Sequence, residues 1–198
     1  LLYAKNDLVP IIESVIPAGK PFSIVGSSMG GNIASHLASL YGVDRNDKLL
    51  LCAPMGPVNP IDELDDKYKE ITNPIRLVTS SNWGKKFFSW IAFLSVTITG
   101  KPMASPNEQL TAQRPNYNPF YRSQLEKDFR RAIQYGSKGC YLAAHFIGSK
   151  WEVDWELLSQ KQVTIVSGKL DDVVPPVMQH YLHEKIKGSA FIEYDGSH

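Results

Sequence analysis

Bulk charge is missing from this sequence. Over 198 residues, 21 lysines and arginines nearly cancel 20 aspartates and glutamates, the formal charge is +1, and no run of like charge stands out. Nucleic acids and strongly anionic partners are held by clustered cations, so no such partner is expected. Cysteine is scarce as well. Cys52 and Cys140 are far apart and lack metal-ligand spacing, so no metal site is expected. Two free buried thiols in a reducing compartment, hence a cytoplasmic location, is the expectation, with a single disulfide as the alternative. No apolar run approaches the ~20 residues that cross a bilayer, so no membrane span is expected. A secretory signal, internal repeats and low-complexity tracts are absent from the sequence. An initiating methionine is also lacking. Leu1 to Asp7 reads like the interior of a protein, and His198 follows a strand pattern with no closing element. The expectation is a piece of a longer protein.

What is present is one strong local pattern, Pro21-Phe22-Ser23-Ile24-Val25-Gly26-Ser27-Ser28-Met29-Gly30-Gly31-Asn32. It reads as a buried strand, an abrupt turn and the start of a helix. Gly26, Ser28 and Gly30 fill G-x-S-x-G, which holds a serine at a sharp corner with its hydroxyl pushed out of the sheet. The corner is expected to demand small residues at Gly26 and Gly30, with Gly31 letting the helix pack close. The helix end offers free N–H groups, and that of Met29 is the natural donor to an oxyanion formed at Ser28. Alone, the motif is ordinary turn chemistry. Its context raises it: Phe22 to Val25 is apolar, and Ile33, Leu37, Leu40 and Tyr41 repeat at helical spacing.

Before this corner, Leu8, Ile11, Ile12 and Val15 predict a short amphipathic helix from about Asp7 to Ile16, with Pro10 in its first turn. The elbow helix is predicted to run to about Tyr41, stopped by Gly42. His36 within it reads as a surface or partly buried residue. Lys48 to Ala53 predicts a second buried strand, so strand, helix and strand make a right-handed crossover. The sheet pattern returns at Gln162–Gly168 and again at Ala190–Tyr194, with a helix opening at Pro175-Pro176 between them and carrying His180 and His183 as surface residues.

From Val58 to Gln160 the strand pattern disappears. Helical stretches follow, including Ser123 to Ile133 and Cys140 to Ile147, and all four tryptophans lie here. The predicted organisation is a discontinuous core, residues 1–57 and 161–198, with a helical cap over 58–160. An insertion at the carboxyl ends of the strands would sit over the serine. The apolar stretch Phe87 to Thr99 predicts a buried helix with one face on a pocket. Trp83, Trp90, Phe93 and His145 are the candidate substrate contacts, although a lone histidine such as His145 is more often a packing residue.

Asp171 and His198 complete an ordered set with Ser28. A serine hydroxyl needs an imidazole to take its proton, and that imidazole needs a carboxylate to fix its tautomer. Each of the three falls just past a predicted strand, so a parallel sheet would gather them. Asp172 is the competing acid; Asp171 comes first in the turn.

The motifs G-S-S-M-G-G at Gly26 to Gly31, G-K-L-D-D-V-V-P at Gly168 to Pro175 and D-G-S-H at Asp195 to His198 resemble those of the α/β-hydrolase superfamily, in its capped serine-hydrolase branch. The first is similar to the motif of monoacylglycerol lipases and esterases. The resemblance implies a partial α/β-hydrolase fold, mostly parallel with a helical cap between two strands. It also implies Ser28 as nucleophile, Asp171 as acid, His198 as base and the Met29 N–H as one oxyanion donor. A second donor is implied in a loop upstream of the serine, and nothing between Leu1 and Ser27 has that character. The earlier strands and the final helix of such a fold are also missing from the sequence. The expected function is hydrolysis of an ester or similar carbonyl substrate with an apolar part, needing no cofactor and no metal. Acyl transfer, cofactor-free peroxidase chemistry on the same triad, and ligand binding without turnover are the competing readings.

Overall fold

The computed structural model describes residues 4–58, 81–99 and 151–198, together with single positions between 123 and 148. The chain divides into two compact units, Leu1–Pro57 with Lys150–His198, and Val58–Ser149. Cys140 and most of the predicted helices over 123–133 and 140–147 lie outside the described residues. Ser123, Lys127, Arg131, Tyr141, His145 and Ile147 are helical.

The first unit is built on four parallel strands, β1 (Ser23–Ser27), β2 (Lys48–Cys52), β3 (Gln162–Gly168) and β4 (Ala190–Tyr194), adjacent in that order. Helix α1 (Val9–Val15) precedes β1 and α2 (Met29–Ala38) connects it to β2. Helix α3 (Asn82–Thr99) belongs to the second unit; α4 (Trp155–Ser159) enters β3 and α5 (Pro176–Lys185) joins β3 to β4. Parallel neighbours need such crossovers, which explains why helical patterns separate the strand patterns in the sequence.

Register places Leu49 beside Val163 and Leu51 beside Ile165. All four are buried and join Ala34, Ala38, Trp151, Leu158, Leu182 and Ile186 in one core. Trp151 and Trp155 therefore belong with the sheet, because the chain rejoins the first unit at Lys150 rather than after Gln160. Each fully buried Leu or Ile contributes roughly 1.5–3 kcal/mol over exposure. The set easily outweighs one strained residue at the elbow.

Packing at the elbow is close at two glycines and open at a third. A methyl group at Gly26 would lie 2.5 Å from the Ala34 Cβ and 2.7 Å from the Gly30 carbonyl oxygen. At Gly31 it would lie 2.6 Å from the Pro54 Cβ and 2.9 Å from the Pro54 Cα. At Gly30 it would meet nothing within 4 Å. The expected need for a small residue thus holds at Gly26 and Gly31 and is corrected at Gly30. The Gly30 carbonyl helps to crowd Gly26, and the side-chain direction of Gly30 itself is clear.

Three further expectations are corrected. The apolar face of α1 is not buried: Ile11 and Val15 are 59% and 70% exposed. The π-helical turn Ala4–Leu8 packs on α2 instead, and Glu13 holds α1 by accepting two 3.0 Å hydrogen bonds from Arg45. The elbow helix ends at Ala38, and Tyr41 turns back to stack edge-on against Phe22 at 4.9 Å. His36, expected at or near the surface, is 1% exposed. Its Nδ1 lies 2.9 Å from the Asn32 carbonyl and so carries the proton, and its Nε2 accepts from the Glu152 N–H at 3.3 Å. Trp151 covers the ring edge-on at 5.3 Å. Burial pushes the His36 pKa down to about 4, against a smaller upward pull from the Asn32 carbonyl.

A buried cation also went unseen in the pattern. Lys161 is 6% exposed and donates to the Tyr41 and Asn46 carbonyls at 2.8 and 2.5 Å. Burial lowers its pKa, with Asp44 and Asp47 opposing.

Two outcomes follow from this packing. Gly26→Ala and Gly31→Ala should each lower stability by ~1–3 kcal/mol through overpacking, while Gly30→Ala stays within ~1 kcal/mol; urea midpoints distinguish the two classes. His36 is neutral in the folded state and binds its proton more readily when unfolded. Its contribution is therefore complete above pH 6.5 and is lost as pH falls toward about 4. Stability should drop over that window by on the order of 3 kcal/mol from this residue, and His36→Gln should flatten the slope.

Candidate active site

Ser28 sits between the last residue of β1 and the first of α2, with φ 54° and ψ −128°. A non-glycine residue there costs roughly 1–3 kcal/mol and persists only where its surroundings over-determine it. They do so here. The Ser28 N–H donates to the Cys52 carbonyl at 3.0 Å, and its own carbonyl accepts from Gly31 and Met55 at 3.0 and 2.9 Å. The elbow is thus tied to β2, to α2 and to the loop after β2. Ser28 is half-buried, and Met29 is the first residue of α2, where no carbonyl of the same helix can take its N–H.

Asp171 lies in the loop after β3 and is 4% exposed. Its Oδ1 accepts from the Val173 and Val174 N–H groups at 3.0 and 2.8 Å, and its Oδ2 lies 2.8 Å from His198 Nδ1. A carboxylate used this way only accepts, so the His198 proton sits on Nδ1 and Nε2 is left as the acceptor. The side chain of His198 is 18% exposed and that of Asp171 is 0% exposed. Asp171, and not the exposed Asp172, is therefore the carboxylate that meets the imidazole.

The loops are joined before the side chains meet. Lys169 N–H donates to the Tyr194 carbonyl at 3.0 Å and Leu170 N–H to the Gly196 carbonyl at 2.9 Å. A side chain at Gly168 would collide with this loop, 2.7 Å from the Ser197 carbonyl. Because all strands run parallel, Ser28, Asp171 and His198 leave the sheet at its carboxyl edge. β1 and β3 flank β2, so the strands that lead to Ser28 and Asp171 lie about 10 Å apart. The structure thus joins Asp171 to His198 and sets Ser28 on the same rim.

No protein-family signature matches the chain, and no curated protein matches it in sequence. Solved structures do match. A thermophilic esterase from Thermogutta terrifontis aligns with a TM-score of 0.59 at 20% identity, over 98% of this chain and 63% of that one. A bromoperoxidase from Bacillus anthracis aligns at 0.57 and 21%, over 96% and 64%. MGS-M2, an α/β-hydrolase enzyme from a Medee basin deep-sea metagenome library, aligns at 0.52 and 17%, over 96% and 62%. The chain has an α/β-hydrolase fold. It spans 62–64% of the length of these three structures.

Within this α/β-hydrolase fold, one supporting residue escaped the sequence reading. Gln179 is fully buried on α5. Its Nε2 donates to the Pro54 and Val174 carbonyls at 3.0 and 3.2 Å, and its Oε1 accepts from Ser167 Oγ at 3.4 Å. It links the loop after β2 to the Asp171 loop. The signal was available: Gln179 shares a helical stripe with Leu182 and Ile186, and a polar residue in an apolar stripe has buried partners.

The other candidates lie in the second unit. Trp83 and Trp90 line an open cleft of about 580 Å³ together with Phe87 and Tyr141. Phe93 is half-buried and His145 is exposed; neither lines the cleft. His145 Nδ1 accepts from Lys85 Nζ at 3.3 Å. Along the side chains described, helix α3 is not the buried helix expected, with Phe93 and Leu94 half-buried. Trp83, Phe87, Trp90 and Ile91 are exposed while Lys85 and Ser89 are buried. The expected pocket face is present, since α3 lines the cleft. Among the described residues no cluster of three metal-ligating side chains occurs, and no helix is long and apolar enough to cross a membrane.

The Asp171 contact predicts the tautomer of His198. In the neutral protein, ¹⁵N shifts should report a proton on Nδ1 and a bare Nε2. Asp171→Asn should disturb that pattern, while Asp172→Asn leaves it intact.

Proposed function

We propose that this protein is a serine hydrolase that cleaves an ester or similar carbonyl substrate with an apolar part. The observation that carries the reading is the 2.8 Å contact between buried Asp171 and His198 on the rim where strained Ser28 is held. In this mechanism Ser28 Oγ attacks the substrate carbonyl as His198 Nε2 takes its proton. Asp171 keeps the imidazole in the correct tautomer and stabilises the imidazolium. The Met29 N–H donates to the oxyanion. His198 then protonates the leaving alcohol, and an acyl group remains on Ser28. Water attacks that acyl group with His198 again as base, and the acid departs.

Cofactor-free peroxidase chemistry on the same triad is the second reading, favoured by the fold shared with a bromoperoxidase. It differs only in the molecule that meets the acyl-enzyme, peroxide instead of water. Product analysis with a peroxide acceptor separates the two.

A fluorophosphonate probe should label the protein at Ser28. Ser28→Ala should abolish labelling, and Asp171→Asn or His198→Ala should slow ester turnover by roughly 10³–10⁶-fold. Labelling that survives in Ser28→Ala would sink the hydrolase reading.

A further inference from the structure

The first turns of helix α3 turn aromatic side chains outward and bury two polar ones. Lys85 and Ser89 are buried, at 9% and 1% exposure, and Trp83, Phe87 and Trp90 are turned out at 74%, 47% and 57%. Positions i, i+4 and i+7 share a helix face, so the three rings form one stripe. Its first two rings are already arranged, with Trp83 and Phe87 stacked at 5.3 Å and 6°. The stripe forms the wall of the cleft of about 580 Å³, a size that suits a small organic molecule. The charged lining has one sign: exposed Lys86 and Lys138 line the cleft beside Ser89, and among the described residues no carboxylate does.

We infer that this cleft is a binding site for amphipathic carboxylates, with the apolar tail on the aromatic wall and the carboxylate held by Lys86 and Lys138. A flat apolar wall beside two cations discriminates twice. A neutral amphiphile gains the wall but leaves the lysines unpaired, and a cationic one is repelled. The ligand is a free small molecule. Identifying it with the acid released from an ester rests on the hydrolase reading above; the binding itself does not.

The test uses the Ser28→Ala protein, which removes turnover, and follows tryptophan fluorescence during titration with decanoate, decanol and decyltrimethylammonium below their micelle concentrations. Decanoate should shift the emission saturably, and Trp83→Phe should remove much of the change. Decanol should bind about tenfold more weakly, the effect expected from one lost charge-assisted hydrogen bond, and the cation more weakly still. The Lys86→Gln/Lys138→Gln double variant should lose that preference, with an unchanged circular dichroism spectrum showing that it folds. Equal binding of decanol and decanoate, an unaltered double variant, or a response confined to anionic phospholipid vesicles would each overturn the proposal. Fluorophosphonate labelling of the wild type tests the Ser28 chemistry separately, so failure of one reading leaves the other measurable.

Discussion

The close approach of α2 to the sheet is the constraint on which the rest of the structure depends. Gly26 and Gly31 leave no room for a side chain, so the helix begins almost on top of the strand that feeds it. That proximity forces the chain through a sharp corner, and Ser28 occupies it at positive φ. The strain is local and small, and three backbone hydrogen bonds to separate elements hold it. A loose elbow would let the serine relax into an ordinary turn. A tight one presents it to solvent at the sheet rim.

The parallel sheet extends that logic to the other two residues. Parallel strands end on the same edge, so loops separated by more than a hundred residues become neighbours. Short backbone hydrogen bonds bind the Asp171 loop to the His198 loop before their side chains meet. Gln179 then ties the Asp171 loop to the Pro54 loop from below. The geometry of Asp171 and His198 is therefore set by the backbone of three loops and one buried amide. This is how a site keeps its shape when its members sit on connecting segments.

Polarity is used differently in the two units. In the first, two buried titratable side chains are paired: Lys161 with two carbonyls, His36 with a carbonyl on one side and an N–H on the other. The neutral state of His36 follows from its burial, and it converts acid into a destabilising condition. In the second unit, α3 buries a lysine and a serine and leaves its aromatic stripe outside.

The placement of the candidate site residues could be read in large part from residue order alone. Strands β3 and β4 match their predicted bounds because apolar, β-branched runs between turn residues permit little else. Ser28, Asp171 and His198 were legible because each follows a strand, and the end of a parallel strand has a known location. The sequence could not say which glycines are crowded, since G-x-S-x-G treats Gly26 and Gly30 alike while crowding depends on what packs above each. It could not bury His36, expose Trp83, Phe87 and Trp90 or assign Trp151 to the core, because a helical period shows that a face exists and not what covers it. Chain order determined which groups reach the rim. Only tertiary packing decided which faces are dry and which nitrogen of His198 holds its proton, because both depend on neighbours that local spacing does not encode.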